Sequence, residues 1–452
     1  MKNRLRSTFS GDSVGKRALR GSALTVVGFG GSKVLRLASN LLLTRLLFPE
    51  AFGLMALVQV FMAGLAMFSD IGIKTSIIQN PRGDEPEFLN TAWTMQIARG
   101  VFLWLAACAL ALPAASLYDE PMLSQLLPVA GLSALIAGFR TTKIATANRH
   151  LMLGRQTVID LGAQVVGIII TVSLAYMLRS VWALVIGGLI SEVLRVVLFH
   201  LILPGIRNRL YWERETASGL IRFGKYIFLG TVAGFAINQG DRAVLGGYVS
   251  LSELGVYSIG MLLGTMPLML GMALNGKIVL PLYRMKPPAE SMSNRRQISR
   301  ARRLLVTATF ILNIPLAYAG IALIETLYDP RYVLAGPIVV LVSLAAVPQL
   351  VFNGYGGALL ANGDSKRHFI LLSCTAAAQL IYLFVGVNWY GLFGAILAPG
   401  LAALTTYPMR IVFVARYKAN DHWSDLRFLA LGLGLTGFAC WLHLDDIMAL
   451  IP

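Results

Sequence analysis

Apolar stretches of about 18 residues or more recur along the whole chain, each long enough for a helix to cross a bilayer. They fall near 20–46, 51–70, 92–113, 123–145, 157–178, 181–203, 224–248, 254–282, 304–326, 334–360, 369–386, 390–414 and 428–444. In hydrocarbon only helices and closed barrels satisfy the backbone. A barrel would show alternating segments of about ten residues, which this pattern lacks. The pattern therefore predicts an all-α membrane protein with thirteen spans, the last one short.

The polar segments between the spans test that count. With the N-terminus placed inside, the inner loops carry Lys74 and Arg82; Arg149 and Arg155; Arg207, Arg209 and Arg214; Arg284, Lys286, Arg295, Arg296 and Arg300; Lys366 and Arg367; and Arg416, Lys418 and Arg427. The outer loops, such as those around Pro49-Glu50 and Tyr118-Asp119-Glu120, are short and poor in cations. Excess Lys and Arg on the inner side is the topology signal of a multi-pass protein. A missed span would invert the alternation from that point on.

The chain also repeats. Phe52-Gly53-Leu54 after the first span matches Leu254-Gly255-Val256 after the seventh, and "ATANRHLMLGRQ" after the fourth pairs with "LLANGDSKRHF" after the tenth. Matching spans run in the same direction, so the repeat is parallel, about an axis along the membrane normal. The expected organisation is a basic cytoplasmic N-terminus (1–20), a six-helix bundle (21–203), a cytoplasmic linker (204–223), a second six-helix bundle (224–415) around a central cavity, and a cytoplasmic loop with an additional C-terminal helix (416–452).

Composition sharpens this reading. Of 452 residues 56% are hydrophobic and 13% charged, against about 25% charged in a soluble chain. The mean hydropathy is +0.68. A net charge of +17 would suggest nucleic acid in a soluble protein. Here the inner loops account for most of it, and no nucleic-acid partner is expected. Cys108, Cys374 and Cys440 lie in separate spans and read as small hydrophobes. No cofactor or metal motif is present. Gly31-Ser32-Lys33 lacks the order of a phosphate loop and has no strand before it. The first apolar stretch is long, without a small-residue cleavage site, and reads as a retained span.

The informative charges are those inside spans, where each costs on the order of several kcal/mol unless it faces a partner or a cavity. Lys33, Arg36, Asn40 and Thr44 lie on one stripe of span one at about 100° per residue. Two cations without an acid at helical spacing would line a wet cavity and attract an anion, or would pair with an acid on another helix such as Glu192 or Asp241. Span three adds Gln96 and Arg99. Arg45, Arg140 and Lys143 are placed near interfaces, where long side chains snorkel. Glu192 and Arg195 read as a mutual ion pair. Asn238, Asp241 and Arg242 share a face of span seven, Asp241 as a structural or gating partner of Arg242 or a coupling-ion ligand. Lys277 is a lone cation of span eight.

Two stretches are similar to a known family. "LLLTRLLFPEAFGLMALVQVFMAGLAMFSDIGIKTSIIQNP" resembles the N-terminal signature of Wzx-type polysaccharide flippases, carried by Arg45, Leu47, Pro49, Phe52, Gly53, Ser69, Asp70 and Gly72. "NQGDRAVLGGYVSLSELGVYSIG" resembles a second family segment through Asp241, Arg242, Leu245, Gly246, Leu254, Gly255 and Tyr257. The likeness is nearest the exopolysaccharide branch, of the succinoglycan and colanic acid type. It implies the fold of the multidrug/oligosaccharidyl-lipid/polysaccharide exporter superfamily, with alternating access. The implied substrate is an oligosaccharide repeat unit on polyprenyl pyrophosphate, moved from the cytoplasmic to the periplasmic leaflet of the bacterial inner membrane. A polymerase and export machinery would act afterwards. On that reading Lys33, Arg36 and Arg99 hold the pyrophosphate, with Asn40, Gln96 and Lys277 as further substrate contacts. Asp241 and Glu192 are candidates for proton or sodium coupling, with Asn238, Arg242 and Arg195 beside them. Family members commonly have 12 or 14 spans, so thirteen departs from the pattern. A lipid II flippase or small-molecule exporter of the same superfamily is the nearest alternative. An integral-membrane polymerase or glycosyltransferase would show a large extramembrane loop, and no loop here exceeds about 25 residues.

Overall fold

The computed structural model describes residues 14–70, 72–150 and 152–451, so the first thirteen residues of the expected basic N-terminus lie outside the described residues. All regular structure among them is helical. In chain order the helices are α1 Val14–Leu46, α2 Pro49–Phe68, α3 Ile73–Gln79, α4 Pro86–Leu117, α5 Leu123–Gly138, α6 Lys143–Arg149, α7 Leu153–Leu178, α8 Trp182–Ile202, α9 Arg214–Leu245, α10 Leu251–Gly264, α11 Met266–Leu274, α12 Leu280–Met285, α13 Met292–Leu327, α14 Ala335–Phe352, α15 Tyr355–Ala361, α16 Ser365–Thr405, α17 Tyr407–Ala415, α18 His422–Leu442 and α19 Leu444–Met448. A π-helical turn at Asn275–Val279 joins α11 to α12.

Each of the thirteen expected stretches has a helical counterpart. Among the described residues nine helical segments are long and apolar enough to cross a membrane, or ten if the bent pair α5–α6 is one span. The difference from thirteen has local causes. Span eight is broken into α10, α11 and α12 yet still counts once, through Met266–Met285. Spans eleven and twelve run together through α16 and α17, because a one-residue turn at Gly391 (φ 55°, ψ −134°) joins them without a loop. That backbone conformation is open to glycine and strained for other residues. α1 and α9, which carry Lys33, Arg36, Asp241 and Arg242, fall outside the length-and-apolarity measure. The chain is a multi-pass membrane protein.

Contacts divide it into two units, Met1–Leu47 with Val58–Thr231, and Phe48–Leu57 with Val232–Pro452. The expected bundle limits differ from these in two places. The division falls inside α9 rather than in the 204–223 segment, and the start of α2 packs with the second unit.

The first difference has a visible cause. The segment before α9 is strapped to the first unit by alternate backbone amides. Arg209 N donates to Asn90 Oδ1 at 2.9 Å, Tyr211 N to Thr94 Oγ1 at 3.0 Å and Glu213 N to Thr91 Oγ1 at 3.0 Å, all on α4. Asn208 accepts from Thr141 Oγ1 (2.8 Å) and Thr142 N (3.1 Å), and donates to Thr142 Oγ1 (2.7 Å). Hydrogen bonds from Thr216 and Arg82 hold the Glu213 carboxyl below the usual carboxylate range. Its contribution is present above the unfolded-state value and is lost as pH falls through the folded-state one. Replacing Asn208 with Ala strands a threonine hydroxyl and an amide at the bend. It should cost about 1–3 kcal/mol, read as a lower unfolding midpoint and faster protease cleavage near residue 208.

The internal repeat is visible in the fold. The bent pair α5–α6 has its counterpart in α14–α15, and α6 and α15 are each seven residues long. α6 packs on α3 as α15 packs on α12. Asn148 Nδ2 donates to Ile144 O (2.6 Å), and Asn362 Nδ2 to Ala358 O (2.8 Å), so the asparagines of the paired segments make the same bond.

Candidate functional site

The site is a cavity of about 480 Å³ within the first unit, lined by charged and apolar side chains together. α5 and α6 meet at a 57° bend, which exposes carbonyls that a continuous helix would use. Gln96 of α4 answers them. Its Nε2 lies 3.1 Å from Ala137 O, 3.1 Å from Gly138 O and 3.0 Å from Arg140 O. The bend turns Arg140, Thr141 and Thr142 into the cavity wall. α4 contributes Arg99, the end of α2 and start of α3 contribute Asp70 and Lys74, α7 contributes Gln156 and Asp160, and α8 contributes Arg195.

The cations are partly engaged. Arg99 Nε donates to Ser69 Oγ (3.0 Å) and Nη2 to Ala66 O (2.7 Å). Arg140 pairs with Glu192 Oε1 at 2.6 Å. Arg195 stands 3.6 Å from both Glu192 Oε2 and Asp160 Oδ1. Its buried Nε has no hydrogen-bond partner. Such an arrangement can accept anionic oxygens, because charge-assisted bonds to guanidinium are short and roughly twice as strong as neutral ones.

Several expectations are corrected. Arg140, expected to snorkel, lines the cavity and pairs with Glu192. Lys143 is buried, and its Nζ donates to His200 O in the last turn of α8 at 2.8 Å, where the helix dipole favours a cation. Glu192 and Arg195 are not an isolated pair, since the shortest contact of Glu192 is with Arg140. Asp241 is held by the Tyr257 hydroxyl at 2.7 Å rather than by Arg242. Neighbours in a helix point about 100° apart, and Arg242 Nη1 lies 3.5 Å from Gln239 Oε1 instead.

The expected site residues separate into three places. Gln96, Arg99 and Arg195 line the cavity, with Glu192 behind it. Lys33, Arg36 and Asn40 lie on α1 and are not part of its lining. α1 is joined to α7 by Ser32 Oγ donating to Gln164 Oε1 at 2.6 Å. Asn238, Asp241, Arg242 and the exposed Lys277 belong to the second unit, where Asn238 Nδ2 bonds its own helix at Gly234 O (2.7 Å).

Sequence reasoning missed Asp160 and placed Lys74 in a loop; an acid within an apolar stretch was the available signal for the first. It also missed a buried cluster in the second unit. Arg302 Nη2 donates to Asp425 Oδ1 at 2.9 Å, and its guanidinium lies 3.8 Å from the centre of the Tyr355 ring. The Tyr355 hydroxyl donates to Asp425 Oδ2, and the Tyr407 hydroxyl does so at 3.2 Å.

Residues 42–333 match a family profile described as "Polysaccharide biosynthesis protein". The chain belongs to this family. Among its relatives is the succinoglycan biosynthesis transport protein ExoT of Rhizobium meliloti, 22% identical over 334 residues, which cover 73% of this chain and 66% of ExoT. The lipopolysaccharide biosynthesis protein WzxC of Escherichia coli is 21% identical over 346 residues, covering 75% of this chain and 68% of WzxC. The family member thus spans about two thirds of the length of the relatives it matches. In architecture it is similar to the lipid II flippase MurJ in an inward closed conformation, with TM-score 0.70 at 14% identity over 94% of this chain and 92% of MurJ. An inward-facing MATE multidrug transporter of the MOP superfamily gives 0.59 at 13% identity, over 88% of this chain and 95% of that one. These likenesses show a shared fold.

Proposed function

We propose that this protein is a flippase, not an enzyme, that carries polyprenyl-pyrophosphate-linked oligosaccharide repeat units from the cytoplasmic to the periplasmic leaflet of a bacterial inner membrane. The N-terminus is placed in the cytoplasm, on the side of the basic loops. The observation that carries the reading is the cavity of the first unit, where Arg99, Arg140, Arg195 and Lys74 converge inside a membrane protein. A pyrophosphate crossing bare hydrocarbon would lose its hydration at a cost of tens of kcal/mol. A wet cavity walled by guanidinium groups replaces that hydration, while the prenyl chain stays in lipid and the sugars ride in water. The family and the names of its relatives support a saccharide cargo. Lys33, Arg36, Asn40 and Lys277 would meet the anion elsewhere on its path, and proton or sodium coupling through Asp241 or Glu192 would supply direction by alternating access. A polymerase would act on the delivered unit.

Deleting the gene should accumulate complete lipid-linked repeat units on the cytoplasmic leaflet, inaccessible to a membrane-impermeant sugar-modifying enzyme, with polymer lost. Accumulation on the periplasmic leaflet would point to polymerisation or export instead. Arg99→Gln with Arg195→Gln should lower polymer export about tenfold or more at normal protein levels, since each charge-assisted bond is worth about 1.5–3 kcal/mol. Undiminished export would remove the cavity from the mechanism.

A further inference from the structure

The cavity holds its own anions. Lys74, Arg99, Arg140 and Arg195 face Asp70 and Asp160, with Glu192 behind Arg140 and Arg195. The two acids nearest Arg195 differ in how they are held. Glu192 has a close partner in Arg140 at 2.6 Å. The ion pair of Asp160 is with Arg195, at 3.6 Å and beyond hydrogen-bond range, with Arg140 and Lys74 acting on it from farther off, and the Arg195 Nε on that side is buried and without a hydrogen-bond partner. An unmet donor in a partly desolvated site favours a better acceptor. A phosphate oxygen can approach guanidinium at about 2.7–2.9 Å, often two at once.

We propose that Asp160 is a placeholder anion, which yields Arg195 to the incoming pyrophosphate and takes up a proton as it does so. The inference rests on the reading of this cavity as the pyrophosphate site. Once the guanidinium turns to phosphate, the Asp160 carboxylate is left beside a second negative group with its nearest cation withdrawn. Like charge disfavours ionisation, and one proton from water converts the carboxylate to a neutral acid that can donate a hydrogen bond to the phosphate. The other charges facing Asp160 do not replace Arg195. Arg140 is held by Glu192. Lys74 acts on Asp160 without forming an ion pair with it, and Arg99 is bonded to Ser69 Oγ and Ala66 O. Lys143, on the adjoining α6, is bonded to His200 O. Lys33 and Arg36 lie on α1, which packs against α7 but contributes nothing to the lining.

Linkage fixes the sign. If binding takes up a proton, affinity rises as pH falls, by at most about tenfold per pH unit for one proton. The test uses the full chain in neutral-lipid nanodiscs and a water-soluble dialkyl pyrophosphate diester, whose phosphates stay ionised near neutrality. Calorimetry in two buffers of different ionisation enthalpy counts the protons. The wild type should take up a substantial fraction of one proton per ligand and bind more weakly from pH 6 to pH 8. Asp160→Asn should bind about fivefold more tightly at pH 8, the scale of one partly exposed ion pair, and should lose the pH slope. Asp160→Ser serves as a second variant if Asn impairs folding, with the same loss of slope expected. Glu192→Gln should keep the slope. Binding without proton uptake, or a slope that survives at Asp160 variants and disappears in Glu192→Gln, overturns the placeholder role while leaving the cavity reading intact. No binding of the diester to the wild type removes both.

Discussion

Gly53→Ala and Gly255→Ala should each destabilise the second unit by about 3 kcal/mol or more, the upper range for forcing extra atoms into a packed contact. A Cβ on Gly53 would overlap the carbonyl oxygen of Leu251 and lie 2.9 Å from its carbon. A Cβ on Gly255 would overlap the carbonyl oxygen of Pro49, with its carbon 2.7 Å away. Each glycine therefore rests on the residue four positions before the other, and the two copies of the repeated motif pack on each other backbone to backbone. Membrane helices use small residues for such close approach. α2 and α10 could accommodate a methyl group only by moving apart. That would disturb the edge-on Phe52–Tyr332 contact at 5.9 Å and the stacking of Arg331 on Phe48 at 4.6 Å. Thermal unfolding in detergent should show a clear fall in midpoint for both variants, with loss of polymer export. Gly437→Ala, where nothing lies within 4 Å, is the control and should change little. Unchanged midpoints for Gly53→Ala and Gly255→Ala would mean the crossing is loose.

The second large effect is expected at Arg302 and Asp425, whose side chains are each 5% exposed. Arg302→Met or Asp425→Leu alone leaves one buried charge without its counter-charge, at a cost of about 3–5 kcal/mol. The double variant removes both charges and should recover much of the loss, since a buried pair replaced by apolar groups of similar volume is often near neutral. The signature is this non-additivity in unfolding midpoint and membrane yield. The pair ties the first third of α13 to the first turn of α18, with Tyr355 of α15 and Tyr407 of α17 completing it. Additive losses would show that the two residues act independently and that α18 is docked by its apolar face alone.

Much of the fold was legible because the bilayer imposes it. Length, apolarity and the alternation of cationic loops report the solvent each segment meets, so the thirteen helical stretches and the parallel repeat could be read along the chain. Loops between spans are short, and a one-residue turn such as Gly391 still separates two apolar stretches on the page. The helix breaks were less legible. The break at Thr265 lies just before Pro267, where the missing amide favours a helix start, but the bend after Gly138 lies well past Pro128, and the side chain that satisfies its freed carbonyls, Gln96, comes from another helix.

The candidate site divides along the same line. That cations lie in the membrane was evident from Arg99 and Arg195, since an ionisable residue in an apolar stretch is visible without its surroundings. Which of them share a cavity was not. Lys33 and Arg36 form the clearest polar stripe in the sequence and do not line it, whereas Arg140, expected at an interface, and Lys74, expected in a loop, do. By itself the sequence determined that the chain crosses the membrane repeatedly, that its halves repeat, and that cations lie within spans, because these depend on the exchange of each segment with water or lipid. Only the tertiary structure decided that Arg140 faces Glu192, that Asp241 faces Tyr257, and that Asp160 faces Arg195. Those pairings depend on the rotation of one helix against another, which is set by packing between residues 35 to 52 positions apart or across a turn, and helical periodicity leaves that rotation open.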